Sequence, residues 1–394
     1  RLLAVMRDNR IDLYRLNSSQ MADPLKVMNP ETRDEMNCLV KTISIQSPFN
    51  LSCSVISDDG KFLAASDAVS LYIFSLDIKE EDGMLEVRPT KLGLGVECKH
   101  PATALQFDDN RRLICATNNG PINILKISSV PETDLSDKSS HKVSLEHVFN
   151  EHTVDWSATS HHLPIVSLGL SPDGKWLAAC RFSSGKGAVH VFNLPTSNDN
   201  EFFKHWWSVP EMDAPTTCIK FLGGGSVEPS LAVGCSNNEF YVYNLGRRSL
   251  SHWSNDMGLP LLKSLPKELT SRSEPVARIL SNPSTPQRFI LGSHGYFCVV
   301  DLDQPVPERS SMFPLDHLRA KRLQLIKEDD MPRPPGEKRK SHDAPVTNSN
   351  FTICLRYSEI MFQDFIAENE MVIVEEPWMS ILEEMPDPLA RRVY

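Results

Sequence analysis

Seven short stretches of this chain are near-copies of one another. They are IDLYRL from Ile11, LYIFSL from Leu71, INILKI from Ile122, VHVFNL from Val189, FYVYNL from Phe240, FCVVDL from Phe297 and MVIVEE from Met371. Each reads as a strand of apolar, β-branched and aromatic residues. A period of this kind means a stack of small units, none of which can bury its faces alone.

The unit around VHVFNL shows the pattern most clearly. Residues 165–170 (IVSLGL) form a strand, and Ser171-Pro172-Asp173-Gly174-Lys175 a tight turn. Pro presets φ in such a turn and Gly accepts a positive φ. Residues 176–180 (WLAAC) form a second strand, residues 183–187 a second turn, and VHVFNL the third strand. The same order recurs over residues 52–76, 104–127, 218–245, 277–302 and 351–376, with FTICLRY as the opening strand of the last unit. Residues 1–16 supply only a second and a third strand, so the chain is expected to begin inside a blade and to be part of something longer. Fourth strands are expected at 143–149 (VSLEHVF) and 202–209 (FFKHWWSV). Adjacent aromatics on a strand face opposite sides, so one of Trp206 and Trp207 is expected in the core and the other as a contact residue.

Antiparallel meanders repeated about seven times predict an all-β, seven-bladed propeller. The second strands (FLAAS, LICAT, WLAAC, SLAVG) are apolar and small, as strands covered on both faces should be. The repeats resemble the WD40 family through SPDGKWLA at 171–178 and the recurrent strand endings. They are degenerate. No Trp-Asp dipeptide occurs, and its places hold Phe192-Asn193, Phe74-Ser75, Tyr243-Asn244 and Val300-Asp301. The Gly-His pair that opens a typical repeat is also missing, so the blades are expected to cohere mainly by apolar packing.

Four regions are expected: blades over 1–308, a basic, Pro-rich insert over 309–350, closing strands over 351–376, and a helix with a basic tail over 377–394. Residues 128–142 and 196–200 are polar and read as loops. From Leu318 to His342 stand eight cations, Arg319, Lys321, Arg322, Lys327, Arg333, Lys338, Arg339 and Lys340, against four acids, Glu328, Asp329, Asp330 and Glu337. The chain as a whole carries −10. The insert reads either as a solvated, disordered segment or as a basic arm for RNA, a partner or nuclear import. Trp378, Ile381, Leu382 and Met385 follow i, i+3, i+4, i+7 spacing between Pro377 and Pro386. They predict a short amphipathic helix that caps the propeller or docks on another subunit.

Enzymatic signatures are absent. There is no GxSxG, Walker loop, HExxH or GxGxxG. Gly223-Gly224-Gly225 lacks a following Lys-Ser/Thr and reads as a loop. His152, His161 and His162 around Asp155 do not have metal-ligand spacing. Nine cysteines without a CxxC read as buried, reduced thiols. No cofactor, metal, membrane or small-molecule substrate is expected.

The segment 351–394 gives a sharper likeness. The acidic strand end Val374-Glu375-Glu376, the following Pro377-Trp378, Ile381-Leu382, Pro386 and the basic-aromatic end Arg391-Arg392-Val393-Tyr394 resemble the closing segment of the cirhin family. Family members usually end two residues later in Gly-Thr. The resemblance implies the second of two WD40 propellers in the UtpA subcomplex of the small-subunit processome, a nucleolar, non-enzymatic scaffold. The implied partners are other UtpA WD40 and helical-repeat subunits and the 5′ external transcribed spacer of pre-ribosomal RNA. Candidate RNA or partner contacts are Arg319, Lys321, Arg322, Arg333, Lys338, Arg339, Lys340, Arg391 and Arg392. The rival binding role, a WD40 substrate receptor of a ubiquitin ligase, usually needs a WDxR docking motif, which is absent.

Overall fold

The computed structural model describes residues 2–16, 37–81, 84–108, 111–118, 120–129, 141–150, 164–181, 187–195, 202–223, 229–251, 253–254, 265, 267–282, 285, 287–304, 346–347, 351–355, 359–367 and 370–375. They fall in two compact units, Arg1–Gly224 with Gly246–Arg248, and Gly225–Leu245 with Ser249–Tyr394.

In the first unit, β1 (Leu2–Arg7), β2 (Arg10–Leu16) and β3 (Asn37–Ser44) form a three-stranded sheet. Three four-stranded antiparallel sheets follow. The second holds β4 (Cys53–Ile56), β5 (Phe62–Ser66), β6 (Leu71–Glu81) and β7 (Met84–Lys91). The third holds β8 (Ala102–Phe107), β9 (Arg112–Thr117), β10 (Ile122–Ser129) and β11 (His141–Phe149). The fourth holds β12 (Ile165–Leu170), β13 (Trp176–Arg181), β14 (Ala188–Asn193) and β15 (Lys204–Ser208). A further strand, β16 (Thr216–Leu222), packs on β12 and β13. First strands pack in series, β4 on β8, β8 on β12 and β12 on β16, which is the radial stacking of propeller blades.

Strand periodicity builds the core. In β5, Leu63 and Ala65 join a cluster with Ile11, Leu13 and Ile43 of the first sheet. Phe62 and Ala64 alternate with them and join Leu105, Leu113 and Leu125 of the third sheet. In β9 the alternation repeats, with Leu113 and Cys115 on that side and Ile114 and Ala116 against Leu177, Ala179 and Phe192 of the fourth. A strand with both faces in dry cores needs small apolar side chains, and β5 and β9 are buried at every position.

The expected turns are present. Gly174 (φ +67°) closes on the Ser171 carbonyl at 2.9 Å, and Gly60 (φ +72°) closes on Ser57 at 2.8 Å. In both, the Ser hydroxyl donates to the Asp two residues on and accepts from the first N–H of the next strand (Trp176 and Phe62, each 2.9 Å). The expected fourth strands are β11 and β15.

In the second unit, β17 (Ser230–Cys235), β18 (Phe240–Asn244) and β19 (Ser249–Leu250) form one antiparallel set. The next sheet runs in the order β20 (Arg278–Ser281), β21 (Arg288–Gly292), β22 (Phe297–Asp301), β24 (Phe351–Cys354), β23 (Val346–Thr347). The last is the pair β25 (Ile360–Ala367) and β26 (Glu370–Glu375).

Three expectations change. FTICLRY does not open the last unit, because β24 pairs with β22 (Val300↔Phe351) and supplies the outer strand that the preceding sheet lacked. MVIVEE is therefore the second strand of its sheet rather than the third, and the Ile360 N–H that begins β25 donates to the His294 carbonyl (2.5 Å). Trp206 and Trp207 do not alternate. Val191 pairs with Trp207 and Phe192 with His205, so Trp206 is the extra residue of a β-bulge. Trp206 meets Trp176 at 5.3 Å, on the face opposite Phe192.

The helix and tail expected over 377–394, the loop 196–200 and the His152–Asp155–His161–His162 group lie outside the described residues. So does 130–140, the middle of the loop expected over 128–142, whose ends are strand.

Candidate interaction scaffold

The expected interaction residues have to be located first. Arg319, Lys321, Arg322, Arg333, Lys338, Arg339 and Lys340 lie outside the described residues, as do Trp378, Ile381, Leu382, Met385, Arg391 and Arg392. The structure instead describes both attachment points of the basic segment. The chain leaves the sheet after β22, where the Asp303 N–H donates to Asp301 Oδ1 (3.0 Å) and Arg288 Nε pairs with Asp301 Oδ2 (2.7 Å). It returns to the same sheet at β23, where Val346 pairs with Ile353 and Thr347 with Thr352. Both feet of the segment thus stand on one sheet, and the end of the expected insert is itself strand.

The sheets are joined by more than apolar contact. Across the junction between the second and third sheets, Ser52 Oγ donates to the Ala102 carbonyl (3.1 Å), as does Cys53 Sγ (3.3 Å). The Ala102 N–H in turn donates to Ser66 Oγ (2.8 Å). At the next junction Thr103 Oγ1 donates to the Ile165 carbonyl (2.7 Å). At the one after, Cys180 Sγ donates to the Thr216 carbonyl (3.5 Å). Ala102, Ile165 and Thr216 are the first residues of β8, β12 and β16. A small hydroxyl or thiol therefore meets the entry to each following sheet. A polar clasp thus accompanies the apolar packing expected between the sheets, even though the Trp-Asp signature is gone.

In the second unit the clasp is a carboxamide. Asn238 is fully buried at φ +64° in the β17–β18 turn. Its Nδ2 donates to the carbonyls of Arg272 (3.0 Å) and Glu274 (3.1 Å). Its Oδ1 accepts from the Val276 N–H (2.7 Å) and the Tyr296 hydroxyl (2.9 Å). Asn tolerates this left-handed backbone better than most residues.

Two buried thiols and one histidine of the core are held in their neutral forms. Burial pushes the Cys53 thiol up to about 11 and the Cys298 thiol to about 12, so neither is a thiolate nucleophile near neutrality. Cys53, Cys98, Cys115, Cys180, Cys218, Cys235, Cys298 and Cys354 are unbridged. His190 is pushed down to about 3, first by burial and then by the positive sides of His205 and Arg181. Its Nδ1 lies 3.0 Å from Ser208 Oγ, which lies 3.2 Å from His205 Nε2. Among the described residues no group of three His, Cys, Asp or Glu is placed to hold a metal ion. None of the described helices is long and apolar enough to cross a membrane.

No family model matches the chain. The crystal structure of Sqt1 from Chaetomium thermophilum aligns with a TM-score of 0.45 and 14% identity, over 79% of this chain and 69% of that one. Over its whole length the chain is 22% identical to the mouse protein named U3 small nucleolar RNA-associated protein 4 homolog, and 23% identical to the human one. It covers 49% of each, so the chain spans about half the length of these curated relatives. An all-β chain of small antiparallel sheets, stacked in series in its first unit, and a distant similarity along its whole length to U3 small nucleolar RNA-associated protein 4 go together here.

Proposed function

We propose that this chain is a rigid, non-catalytic scaffold in ribosome biogenesis, holding protein and pre-ribosomal RNA together during assembly of the small subunit. The observation that carries this reading is the similarity to U3 small nucleolar RNA-associated relatives along the entire chain. The clasped sheets support it, because recurring hydrogen bonds between blades stiffen a platform while leaving its edges and loops for contacts. The place of action is the nucleolus, within a UtpA-type subcomplex on the 5′ external transcribed spacer. The arm carrying Arg319 to Lys340 contacts RNA. The segment with Trp378, Ile381, Leu382 and Met385 docks a WD40 or helical-repeat subunit.

Affinity purification of the protein from growing cells tests the class. Processome subunits and pre-ribosomal RNA are expected to co-purify. Recovery of a cullin adaptor in their place would move the chain to the ubiquitin-ligase receptors.

A further inference from the structure

The edges of the first four sheets are guarded, with one exception. A sheet edge offers unpaired N–H and C=O groups to any passing strand, and proteins blunt it by shortness, bulges, Pro or charge. β4 has only four residues. β7 carries Pro89 next to Arg88. The outer strands β3, β11 and β15 and the inner strands β8 and β12 each hold the extra residue of a β-bulge. β1 has none of these. It keeps unbroken register with β2 from Leu2 to Arg7, and Leu2 to Met6 are all apolar. Among the described residues no strand pairs with its other edge.

The repeat shows what β1 lacks. The copies IDLYRL and LYIFSL start at Ile11 and Leu71, which pair with Met6 and Ser66. Met6 therefore corresponds to Ser66 of β5, and to Ala116 of β9, which pairs with Ile122. β5 and β9 are buried at every position, whereas β1 is half-buried from Leu2 to Met6. β5 has β4 at its side and β9 has β8, so the difference is an inner strand. The carbonyls of Phe62 and Ser66 accept the N–H groups of Ser57 (2.9 Å) and Ser52 (2.8 Å), which flank β4. Alternate residues of β5 thus face β4. By correspondence, Leu2, Ala4 and Met6 turn their N–H and C=O groups to the unpaired edge.

The neighbouring junctions show what fits there. Ser52 Oγ lies between the Ser66 carbonyl of its own sheet (3.0 Å) and the Ala102 carbonyl of the next (3.1 Å). Thr103 Oγ1 lies likewise between the carbonyls of Ala116 (3.2 Å) and Ile165 (2.7 Å). Each hydroxyl belongs to the residue just before the one paired with Ser66 or Ala116. At the first junction the matching carbonyls are those of Met6 and Leu51. Leu51 is buried, and its N–H donates to the Asp8 carbonyl (2.6 Å) in the β1–β2 turn, so the receiving site is already formed.

We infer that β1 is a docking edge for one extended strand of polypeptide from outside this sequence. The strand lies antiparallel to β1, opposite Leu3 to Met6. It carries a Ser or Thr just before the residue that meets Met6, and this hydroxyl bridges the Met6 and Leu51 carbonyls. The residues behind it are apolar, because it enters beside the cluster that Leu2, Ala4 and Met6 join with Leu63 and Ala65. Main-chain bonds supply the affinity and the hydroxyl fixes the register. The inference goes beyond the scaffold reading and holds whether or not the chain meets RNA.

The test uses the whole chain and a labelled, end-capped peptide of residues 101–108 (PATALQFD), which carries Thr103 in the required place. Saturable binding by fluorescence anisotropy is expected. Residue-resolved hydrogen exchange should show new protection at the Ala4 and Met6 amides and none at Leu3 and Val5, which already bond to β2. Thr103→Val in the peptide is expected to weaken binding about fivefold, the effect of one hydrogen bond. Ala4→Pro in the chain removes a donor from the unpaired edge and none from the β2 ladder, so it should weaken binding at least about tenfold with the melting temperature unchanged. If that variant melts early, the peptide variant and the exchange pattern of the parent chain still decide. The inference is overturned if the peptide does not saturate the chain at millimolar concentration, if a scrambled peptide binds within twofold of it, or if protection spreads equally over Leu3 to Met6.

Discussion

The two units hold their sheets together with different chemistry. In the first, aliphatic and aromatic side chains share the cores between sheets, and the clasps are spread over several residues: Ser52, Ser66, Thr103 and Cys180 reach the start of the next sheet, and the Arg112 and Arg181 guanidiniums bridge neighbouring sheets to the Pro195 and Gly120 carbonyls. In the second, rings meet as well, around Phe240. Phe240 meets Phe289 at 5.6 Å, Trp253 at 6.0 Å and Phe351 at 6.4 Å, and one buried carboxamide, Asn238, makes four hydrogen bonds. The mechanical task is the same in both. The difference teaches that a propeller junction asks for a donor at the entry to each sheet, not for one particular residue. It also sets the vulnerability. The first unit spreads its clasps over several side chains, whereas in the second a single side chain, Asn238, makes four of them.

That contrast is open to measurement. The largest effect is expected at Asn238. Asn238→Ala strips the Val276 N–H of its acceptor and places a Cβ-bearing residue without a local polar partner at positive φ. A loss of about 3 kcal/mol in unfolding free energy is expected by denaturant titration. Asn238→Gly, which relieves the backbone but not the lost bonds, should recover about 1 kcal/mol of that. Equal stability of the Ala variant and the parent would remove the claim that this clasp is concentrated.

Acid provides the second measurement. His190 is neutral in the fold, with its folded value near 3 against an ordinary value of 6.5. The unfolded chain takes up the proton first as pH drops. Stability due to the neutral ring is therefore fully present above about pH 6.5 and is lost as pH falls toward 3, at up to about 1.4 kcal/mol per pH unit. Melting curves of the parent and His190→Asn between pH 7 and about 4.5 should diverge, with the variant showing the flatter profile. Parallel profiles would mean that His190 is not the group responsible.

The smallest effect is expected in the distributed clasps. Thr103→Val keeps shape and burial and removes one donor from the Ile165 carbonyl. About 1 kcal/mol is expected, a third of the Asn238 effect. A loss as large as that at Asn238 would erase the distinction between the two units.

Much of this architecture was legible beforehand, for definite reasons. β5, β9, β13 and β17 were readable because a strand enclosed on both faces has no polar positions to confuse the pattern. The turns at Gly60 and Gly174 were readable because positive φ favours glycine. Harder were the places where pairing is long-range. FTIC at 351–354 carries the same apolar pattern whether it opens one sheet or closes another. Only its bond register with β22, across the whole insert, decides between them. The pair Trp206-Trp207 was misread for a related reason, since a bulge arises from the partner strand and leaves no mark in the dipeptide. Nothing local marks Asn238, because the clasp it makes depends on backbone groups more than 30 residues away. The basic arm and the closing helix were read from charge and spacing alone, and they stand as proposals.

The sequence by itself determined that this chain stacks small antiparallel sheets. Period and burial pattern are local properties, repeated often enough to leave little choice. Tertiary structure alone decided where each repeat begins and ends, which polar atoms replace the absent Trp-Asp signature, and which strand edges stay unpaired. Those outcomes depend on which distant backbone edges finally meet, because a hydrogen bond or a ring contact is worth forming only at a distance and angle that the assembled sheets impose.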